Sequence, residues 1–197
     1  MRLFVALDID DAIRDSIGRF CEPVRRFAPE ARWAKPESLH VTLKFIGEQP
    51  DAAVERIQHA LEGVAAPVAK ISFRGYGFFP GETSARVFWI GLDAGSELAQ
   101  LAAAVDEKLK PLGIPGEKRK FSPHLTLARS PGGSGSPHRR RGDGGNDTFR
   151  VLQQQLRVLP APEFGSMTAR EYFLYQSQLS PKGSTYKKLA RFRLGNL

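Results

Sequence analysis

Two histidines stand in the same short pattern, one in each half of the chain. The segment Ser38-Leu39-His40-Val41-Thr42-Leu43 is echoed by Ser122-Pro123-His124-Leu125-Thr126-Leu127. Apolar residues alternate with polar ones in both copies, which predicts two β-strands. Because side chains at positions i and i+2 of a strand share a face, each histidine lies beside a threonine, and the valine and leucine side chains face the core.

The two histidines are more informative as a pair than singly. A short similarity can arise by chance, and a single strand histidine is more often a half-buried residue with local hydrogen bonds. Histidine is scarce, however, with 4 among 197 residues, and two of them occupy equivalent positions. We therefore interpret His40 and His124 as functional. His59 falls on the polar side of a predicted helix and His138 in a polar segment, so we interpret both as solvated.

Two imidazoles facing one cleft can transfer protons near neutral pH, where histidine titrates. A neutral imidazole accepts a proton from water or a hydroxyl group, and a charged imidazole donates one to a leaving oxygen. The threonine hydroxyls beside them can donate hydrogen bonds to non-bridging phosphate oxygens. This combination predicts in-line attack on phosphorus by positioning and acid–base catalysis.

The sequence favours neither a metal site nor a serine nucleophile. Catalytic zinc generally needs three protein ligands, and the chain has no H-x-H, H-E-x-x-H or cysteine pair. Asp8, Asp10 or Glu48 could ligate a metal, but their spacing does not favour it. No G-x-S-x-G pattern is present, and Ser38 and Ser122 fit a supporting role at the strand entries. We therefore expect no metal and no cofactor.

The remaining periodicities predict the elements that position these groups. Helices are predicted over 10–27, 51–64, 95–112 and 148–159, and strands over 2–9, 39–46, 70–79, 85–92, 164–169, 171–179 and 185–194. No glycine-rich phosphate loop is present, so Rossmann and P-loop folds lack their fingerprint. Two similar half-patterns, each with one motif strand, predict a single bilobal α+β domain over 1–197 with a central cleft.

Composition limits the class of protein and its partners. A length of 197 residues with 41% hydrophobic and 25% charged residues fits one soluble domain. The net charge of +8 favours a polyanionic partner, RNA or DNA first, the alternative being a basic surface without one. Cys21 is the single cysteine, which fits a reducing cytoplasm. The N-terminal apolar run is too short for a secretory signal, and no stretch approaches the roughly 20 apolar residues of a membrane span.

A segment rich in glycine and serine follows the second motif. Residues 130–147 include Arg139-Arg140-Arg141 and little that could build a core, which predicts a flexible basic loop. The arginines either solubilise the chain or attract phosphates. Their position just after the second motif favours the second role.

The paired motifs resemble those of a known superfamily, the two-histidine phosphoesterases, which carry two H-x-T-x motifs. The matching segments are His40-Val41-Thr42-Leu43 and His124-Leu125-Thr126-Leu127-Ala128-Arg129. Within that superfamily the chain resembles, nearly end to end, the RNA 2′,3′-cyclic phosphodiesterases, once called 2′-5′ RNA ligases. Residues 2–8 resemble the first strand of that family. The C-terminal signature is matched by Leu174-Tyr175-Gln176-Ser177, Gly183, Tyr186, Leu189 and Phe192.

The resemblance implies a bilobal fold of two antiparallel sheets lining the cleft, with helices outside and one motif in each pseudo-twofold lobe. It also implies metal-independent hydrolysis of an RNA 2′,3′-cyclic phosphate to a 2′-phosphomonoester. By this analogy His124 is the general base on water and His40 the general acid for the 3′-oxygen. Thr42 and Thr126 would hold phosphate oxygens, with Arg129 assisting. The expected partner is such an RNA end, for a cytoplasmic monomer with no obligate protein partner and no membrane contact.

Two side chains near the second motif, those of Arg129 and Phe121, each have two possible positions. Arg129 follows His124 by five residues, so a regular strand would turn it to the opposite face. Because Ser130-Pro131 follows at once, we expect the strand to end there and free the arginine side chain. The ring of Phe121 can either stack on the terminal base or join the core, and the sequence favours neither.

Other functions fit the same residues. An RNA-binding protein whose histidines only contact phosphate needs no more than positive charge and aromatic residues. It predicts that histidine variants weaken binding and that the wild type converts no substrate. An enzyme with the same chemistry could instead act on a linear 2′-5′ linkage or a cyclic nucleotide, and could join RNA in the reverse direction.

Overall fold

A computed structural model describes residues 1–131, 147–180 and 183–195 of the chain. Its α-helices are α1 (Asp11–Val24), α2 (Val54–Glu62), α3 (Ser96–Leu109) and α4 (Arg150–Arg157). Its strands are β1 (Arg2–Asp8), β2 (Arg32–Trp33), β3 (His40–Glu48), β4 (Ala69–Phe79), β5 (Val87–Ala94), β6 (His124–Arg129), β7 (Glu163–Ala169), β8 (Glu171–Ser180) and β9 (Gly183–Arg193).

The strands form two sheets, and all strand pairings among the described residues are antiparallel. The first sheet has the order β3-β1-β8-β9 and the second has the order β2-β6-β5-β4-β7. The first motif therefore lies on the edge strand of one sheet. The second motif lies on β6, which pairs with β5 on one side and with the two-residue strand β2 on the other, and β3 contacts β6. This confirms the predicted α+β fold with one motif on each of two antiparallel sheets.

The alternating residues of β1 explain why the first sheet is covered on both faces. Leu3, Val5 and Leu7 are buried in the main core. Phe4 and Ala6 point the other way and form a second, smaller cluster with two aromatic side chains of β8, Phe173 and Tyr175. The first face packs against helices, and the second face carries the His40 ring, which lies against Phe4.

The helices bury one apolar stripe each, as their spacing predicts. In α1 the buried residues are Ile13, Ile17, Cys21 and Val24. The hydroxyl of Tyr172 on β8 donates to the carbonyl oxygen of Leu61 on α2 at 2.6 Å, and both residues are fully buried. This bond ties the first sheet to the helix that covers it.

A buried ion pair joins β3 to α3. The side chain of Lys44 is only 4% exposed, and its ammonium lies 2.5 Å from the Asp106 carboxylate. The same ammonium donates to the carbonyl oxygen of Pro115 at 2.7 Å. The motif strand is therefore anchored to the helix and loop behind it.

Some predictions fall on residues that the structure does not describe. Apart from Ser130, Pro131 and Asp147, the predicted basic loop over 130–147 lies outside the described residues, and so do His138 and the three arginines at 139–141. The assignment of one domain over 1–197 stays a prediction. Within the described ranges, no helix combines the length and the apolar character that a bilayer crossing requires.

Candidate active site

Both motif histidines are tethered by the same backbone hydrogen bond. The Nδ1 atom of His40 lies 2.7 Å from the carbonyl oxygen of Ser38, and that of His124 lies 2.8 Å from the carbonyl oxygen of Ser122. Because a carbonyl oxygen can only accept, the proton must reside on Nδ1 in each ring. In the neutral form each imidazole then presents an unprotonated Nε2 as its reactive atom.

Aromatic side chains of three strands hold the ring of His40. The ring centroids of Phe4 and His40 are 4.8 Å apart, and Tyr186 meets the imidazole edge-on at 5.0 Å. Tyr175 stacks on Phe4 at 5.1 Å with an interplanar angle of 9°. None of these three residues was predicted at the site from its position in the sequence.

A second aromatic group supports His124. Phe79 meets the imidazole edge-on at a centroid distance of 4.9 Å and stacks on Trp89 at the same distance. The indole lies against the backbone of Gly77, where an added Cβ would overlap the ring. A glycine on β4 therefore makes room for the aromatic pair that positions His124.

Arg129 reaches the histidine face through an irregularity in β6. Thr126 is paired with Trp89 and Ala128 with Phe88, so one extra residue is accommodated in β6 between these pairs. Leu127 and Ala128 are consequently both buried, and Arg129 returns to the face of Thr126. The strand ends at Arg129, just before Ser130-Pro131, as expected. The bulge inside β6, rather than the end of the strand, returns the arginine to this face.

The first motif strand contains the same irregularity. Thr42 is paired with Ala6 and Lys44 with Val5, so Leu43 and Lys44 are consecutive buried residues. Phe45 then returns to the histidine face, opposite Phe4, and is 59% exposed. Phe45 thus occupies the position in β3 that Arg129 occupies in β6, five residues after the histidine. Phe45 was not predicted on this face. The spacing could have indicated it, because Phe45 follows His40 by the same five residues by which Arg129 follows His124.

The other predicted residues lie as follows. Thr42 and Thr126 are half-buried and alternate with fully buried neighbours on their strands, so each shares a face with the histidine two residues before it. Phe121 is half-buried and packs against the main core. Its proposed contact with a base stays a prediction.

Burial and one arginine lower the pKa of both histidines. For His40 and for His124, burial is the largest cause of the lower pKa, the serine carbonyl opposes it, and the charge of Arg129 lowers the pKa further. The Asp8 carboxylate opposes the shift at His40 alone. The charge of Arg129 therefore acts on both imidazoles, whereas that of Asp8 acts on His40.

The acidic neighbour of His40 belongs to a small polar cluster. The Asp8 carboxylate accepts hydrogen bonds from the Tyr175 hydroxyl and from the Lys188 ammonium. A cavity of about 970 Å³ opens beside Asp8 between the start of α1, the turn from β7 to β8, and β9. Neither His40 nor His124 lines it. In the described part of the chain, no group of three or more His, Cys, Asp or Glu side chains could hold a metal ion.

Comparisons with known proteins agree with this geometry. The family model described as "2'-5' RNA ligase superfamily" matches residues 11–134, and the model "LigT like Phosphoesterase" matches residues 90–186. A curated protein from Archaeoglobus fulgidus named RNA 2′,3′-cyclic phosphodiesterase is 38% identical, covering 98% of this chain and 99% of that protein. A protein of the same name from Methanothermobacter thermautotrophicus is 31% identical over 98% of this chain and 99% of its own length.

Solved structures show the same fold. The crystal structure of TT0787 of Thermus thermophilus aligns with a TM-score of 0.73 at 27% identity, covering 98% of this chain and 97% of that one. The crystal structure of E. coli LigT complexed with 3′-AMP aligns with a TM-score of 0.74 at 25% identity, with the same coverage.

Proposed function

Because the chain belongs to the 2′-5′ RNA ligase superfamily, we propose that it hydrolyses RNA 2′,3′-cyclic phosphate ends to 2′-phosphomonoesters by two-histidine acid–base catalysis. The membership confirms the family resemblance predicted from the paired motifs. The name shared by the curated relatives supports cyclic phosphodiesterase activity.

One observation supports this proposal above the others. Two imidazoles on neighbouring strands of different sheets carry the same Nδ1 tether, so both can expose Nε2 to one phosphate. A protein whose histidines only bound phosphate would not need an unprotonated Nε2 on both of them. Acid–base catalysis needs that arrangement, and it contributes about 10²–10⁴-fold to such reactions.

The two histidines have different neighbours, which supports different roles. Asp8 favours the charged form of His40, whereas no carboxylate among the described residues acts on the pKa of His124. In the proposed reaction, Nε2 of His124 takes a proton from water as the water oxygen bonds to phosphorus. The bond between phosphorus and the 3′-oxygen breaks, and Nε2 of His40 protonates that oxygen. The 2′-ester bond remains, and the histidines exchange protonation states.

Three side chains are proposed to hold the phosphate, and one to hold the base. Thr42 and Thr126 donate hydrogen bonds to non-bridging oxygens, and the Arg129 guanidinium offsets charge that accumulates on them. The exposed ring of Phe45 offers a face on which the terminal base stacks. Phe45 suits this role better than Phe121, because Phe121 packs against the core.

The proposed reaction uses only these side chains and water, so it needs no metal. We also propose that the protein acts in the cytoplasm as a monomer on RNA ends, for which its net charge of +8 provides general attraction. Joining of RNA ends, the reverse reaction, would use the same groups.

One assay tests the proposal directly. The protein is incubated with EDTA and an RNA ending in a 2′,3′-cyclic phosphate, and the position of the product phosphate is determined by ³¹P NMR. We expect complete conversion to a 2′-phosphate. Binding without conversion would instead support an RNA-binding protein, and a 3′-phosphate would contradict the assigned direction of ring opening.

A further inference from the structure

The residue opposite each histidine on the neighbouring strand differs between the two lobes. His40 is paired with Asp8 on β1, whereas His124 is paired with Gly91 on β5. A side chain cannot easily replace that glycine, because an added Cβ would lie 2.7 Å from the carbonyl oxygen of Arg74. The pairing therefore provides a carboxylate beside His40 and leaves no side chain at the paired position beside His124.

Two donors from distant strands orient the Asp8 carboxylate. The Tyr175 hydroxyl on β8 donates to Oδ1, and the Lys188 ammonium on β9 donates to Oδ2. Tyr175 also stacks on Phe4, whose ring lies 4.8 Å from that of His40. The side chain that fixes the carboxylate thus belongs to the aromatic group that holds the imidazole.

Building on the proposed function, we infer that Asp8 is a positioning residue that keeps His40, rather than His124, as the charged proton donor. In the proposed reaction, Asp8 contacts neither the attacking water nor the phosphate. It acts through His40 by favouring the imidazolium form, and Tyr175 keeps the carboxylate in place. Lys188 limits the effect because its own charge offsets that of Asp8.

The other groups around His40 leave this role to Asp8. Arg129 on β6 opposes the charged imidazole, and burial raises the pKa of the Tyr175 hydroxyl, which is therefore neutral near pH 7. The Arg14 guanidinium on α1 is directed at the carbonyl oxygens of Ile9 and Pro36, at 3.1 and 2.5 Å. Among the described residues, Asp8 is the one acidic group that acts on His40.

The test measures the titration of His40 by NMR in the free protein, so it does not depend on activity. Asp8→Asn should lower the midpoint of His40 by about one pH unit, because it removes the nearby negative charge. Lys188→Met should raise that midpoint, because it leaves the carboxylate without its counter-charge. The midpoint of His124 should stay within a few tenths of a unit in both variants.

A matched control is available in the same cavity. Glu171 also lines it and pairs with Arg191 at 3.7 Å, so Glu171→Gln removes a second carboxylate there without altering the partner of His40. We expect no change in the midpoint of His40 in this variant. The alkaline limb of the pH profile of kcat should move downward in Asp8→Asn and upward in Lys188→Met.

Two outcomes overturn the inference: an unchanged His40 midpoint in both variants, or equal shifts of His40 and His124. Because the Lys188 side chain is 49% exposed, we expect Lys188→Met to fold. The inference can therefore be tested with this variant even if Asp8→Asn does not fold. If the midpoints move as expected while the wild type converts no cyclic phosphate, the inference about the charge of His40 stands and the proposed function fails.

Discussion

His40 and His124 make the same hydrogen bond, each from Nδ1 to the carbonyl oxygen two residues earlier, at 2.7 and 2.8 Å. The bond fixes which ring nitrogen carries the proton in both lobes. The two motif strands also have the same backbone irregularity. Each contains a bulge that returns the fifth residue after the histidine to the histidine face. The two lobes therefore present equivalent imidazoles and different fifth residues, Phe45 and Arg129.

The pH dependence of activity should be bell-shaped, because one imidazole must be neutral and the other charged. Burial lowers the pKa of His40 and of His124 below the ordinary value of 6.5. The active state, in which one imidazole is charged and the other neutral, is therefore most abundant below the ordinary pKa of histidine. The value of kcat/KM should peak below about pH 6.5. A flat kcat/KM profile between pH 5 and 9, measured with a nucleoside 2′,3′-cyclic phosphate, would count against this mechanism.

Phe45→Ala should lower kcat/KM about tenfold on a cyclic-phosphate RNA, because base stacking on one aromatic ring is worth about 1–3 kcal/mol. The loss of stability should be small, since the ring is 59% exposed. Val158→Ala is the matched control, because Val158 is also apolar and is 79% exposed. Equal kcat/KM values for the two variants would show that Phe45 does not bind the terminal base.

Gly77→Ala should lower kcat by roughly 10-fold or more, although Gly77 touches no substrate in this account. The added methyl group would overlap the indole of Trp89 and displace Phe79, which supports His124. Small displacements of catalytic groups have large effects on rate. Gly18→Ala serves as the control, because a Cβ at Gly18 meets nothing within 4 Å. Unchanged kcat in Gly77→Ala, with normal circular dichroism, would show that the aromatic pair does not position His124.

Asp106→Asn should lower the free energy of unfolding by about 3–5 kcal/mol at pH 7, because it leaves the buried Lys44 ammonium without its partner. Burial alone would raise the pKa of Asp106, but hydrogen bonds from Lys44 and from the Glu117 backbone, together with the charges of Lys44 and Lys110, outweigh burial and lower the pKa. The stabilisation is therefore present above the unfolded value near 3.8 and is lost as the pH falls through the lower folded value.

Urea denaturation at pH 7 and at pH 3 measures both effects, and the difference between variant and wild type should narrow at the lower pH. Asp93→Asn is the control, because its partner Arg74 is 60% exposed and such a pair contributes at most about 1 kcal/mol. A loss no larger for Asp106→Asn than for Asp93→Asn would mean that the buried pair does not anchor β3.

Local periodicity was sufficient to predict the motif strands and the core faces. Val41 and Leu125, for example, are fully buried as the alternation requires. The bulges were not predictable in this way, because one extra residue breaks the alternation without leaving a distinct signal. Lys44 makes the pattern harder to interpret, since a lysine predicts exposure and this one is 4% exposed. For that reason Phe45 was missed, and the return of Arg129 to the histidine face was attributed to the end of the strand rather than to a bulge.

The aromatic groups around the histidines were also beyond local reasoning. Phe4 and Tyr186 lie at opposite ends of the chain and meet His40 because the first sheet has the order β3-β1-β8-β9. Strand order depends on packing between distant segments, which one sequence does not reveal. The same limit applies to Asp8, whose role depends on its pairing with His40.

The most direct test of the account replaces each motif histidine and assays hydrolysis of a 2′,3′-cyclic phosphate RNA in EDTA. His59→Ala is the control, because the His59 side chain is 89% exposed on α2. We expect kcat to fall about 10²–10⁴-fold in His40→Ala and in His124→Ala, with unchanged circular dichroism. His59→Ala should keep full activity. Activity close to that of the wild type in either motif variant would contradict the two-histidine mechanism.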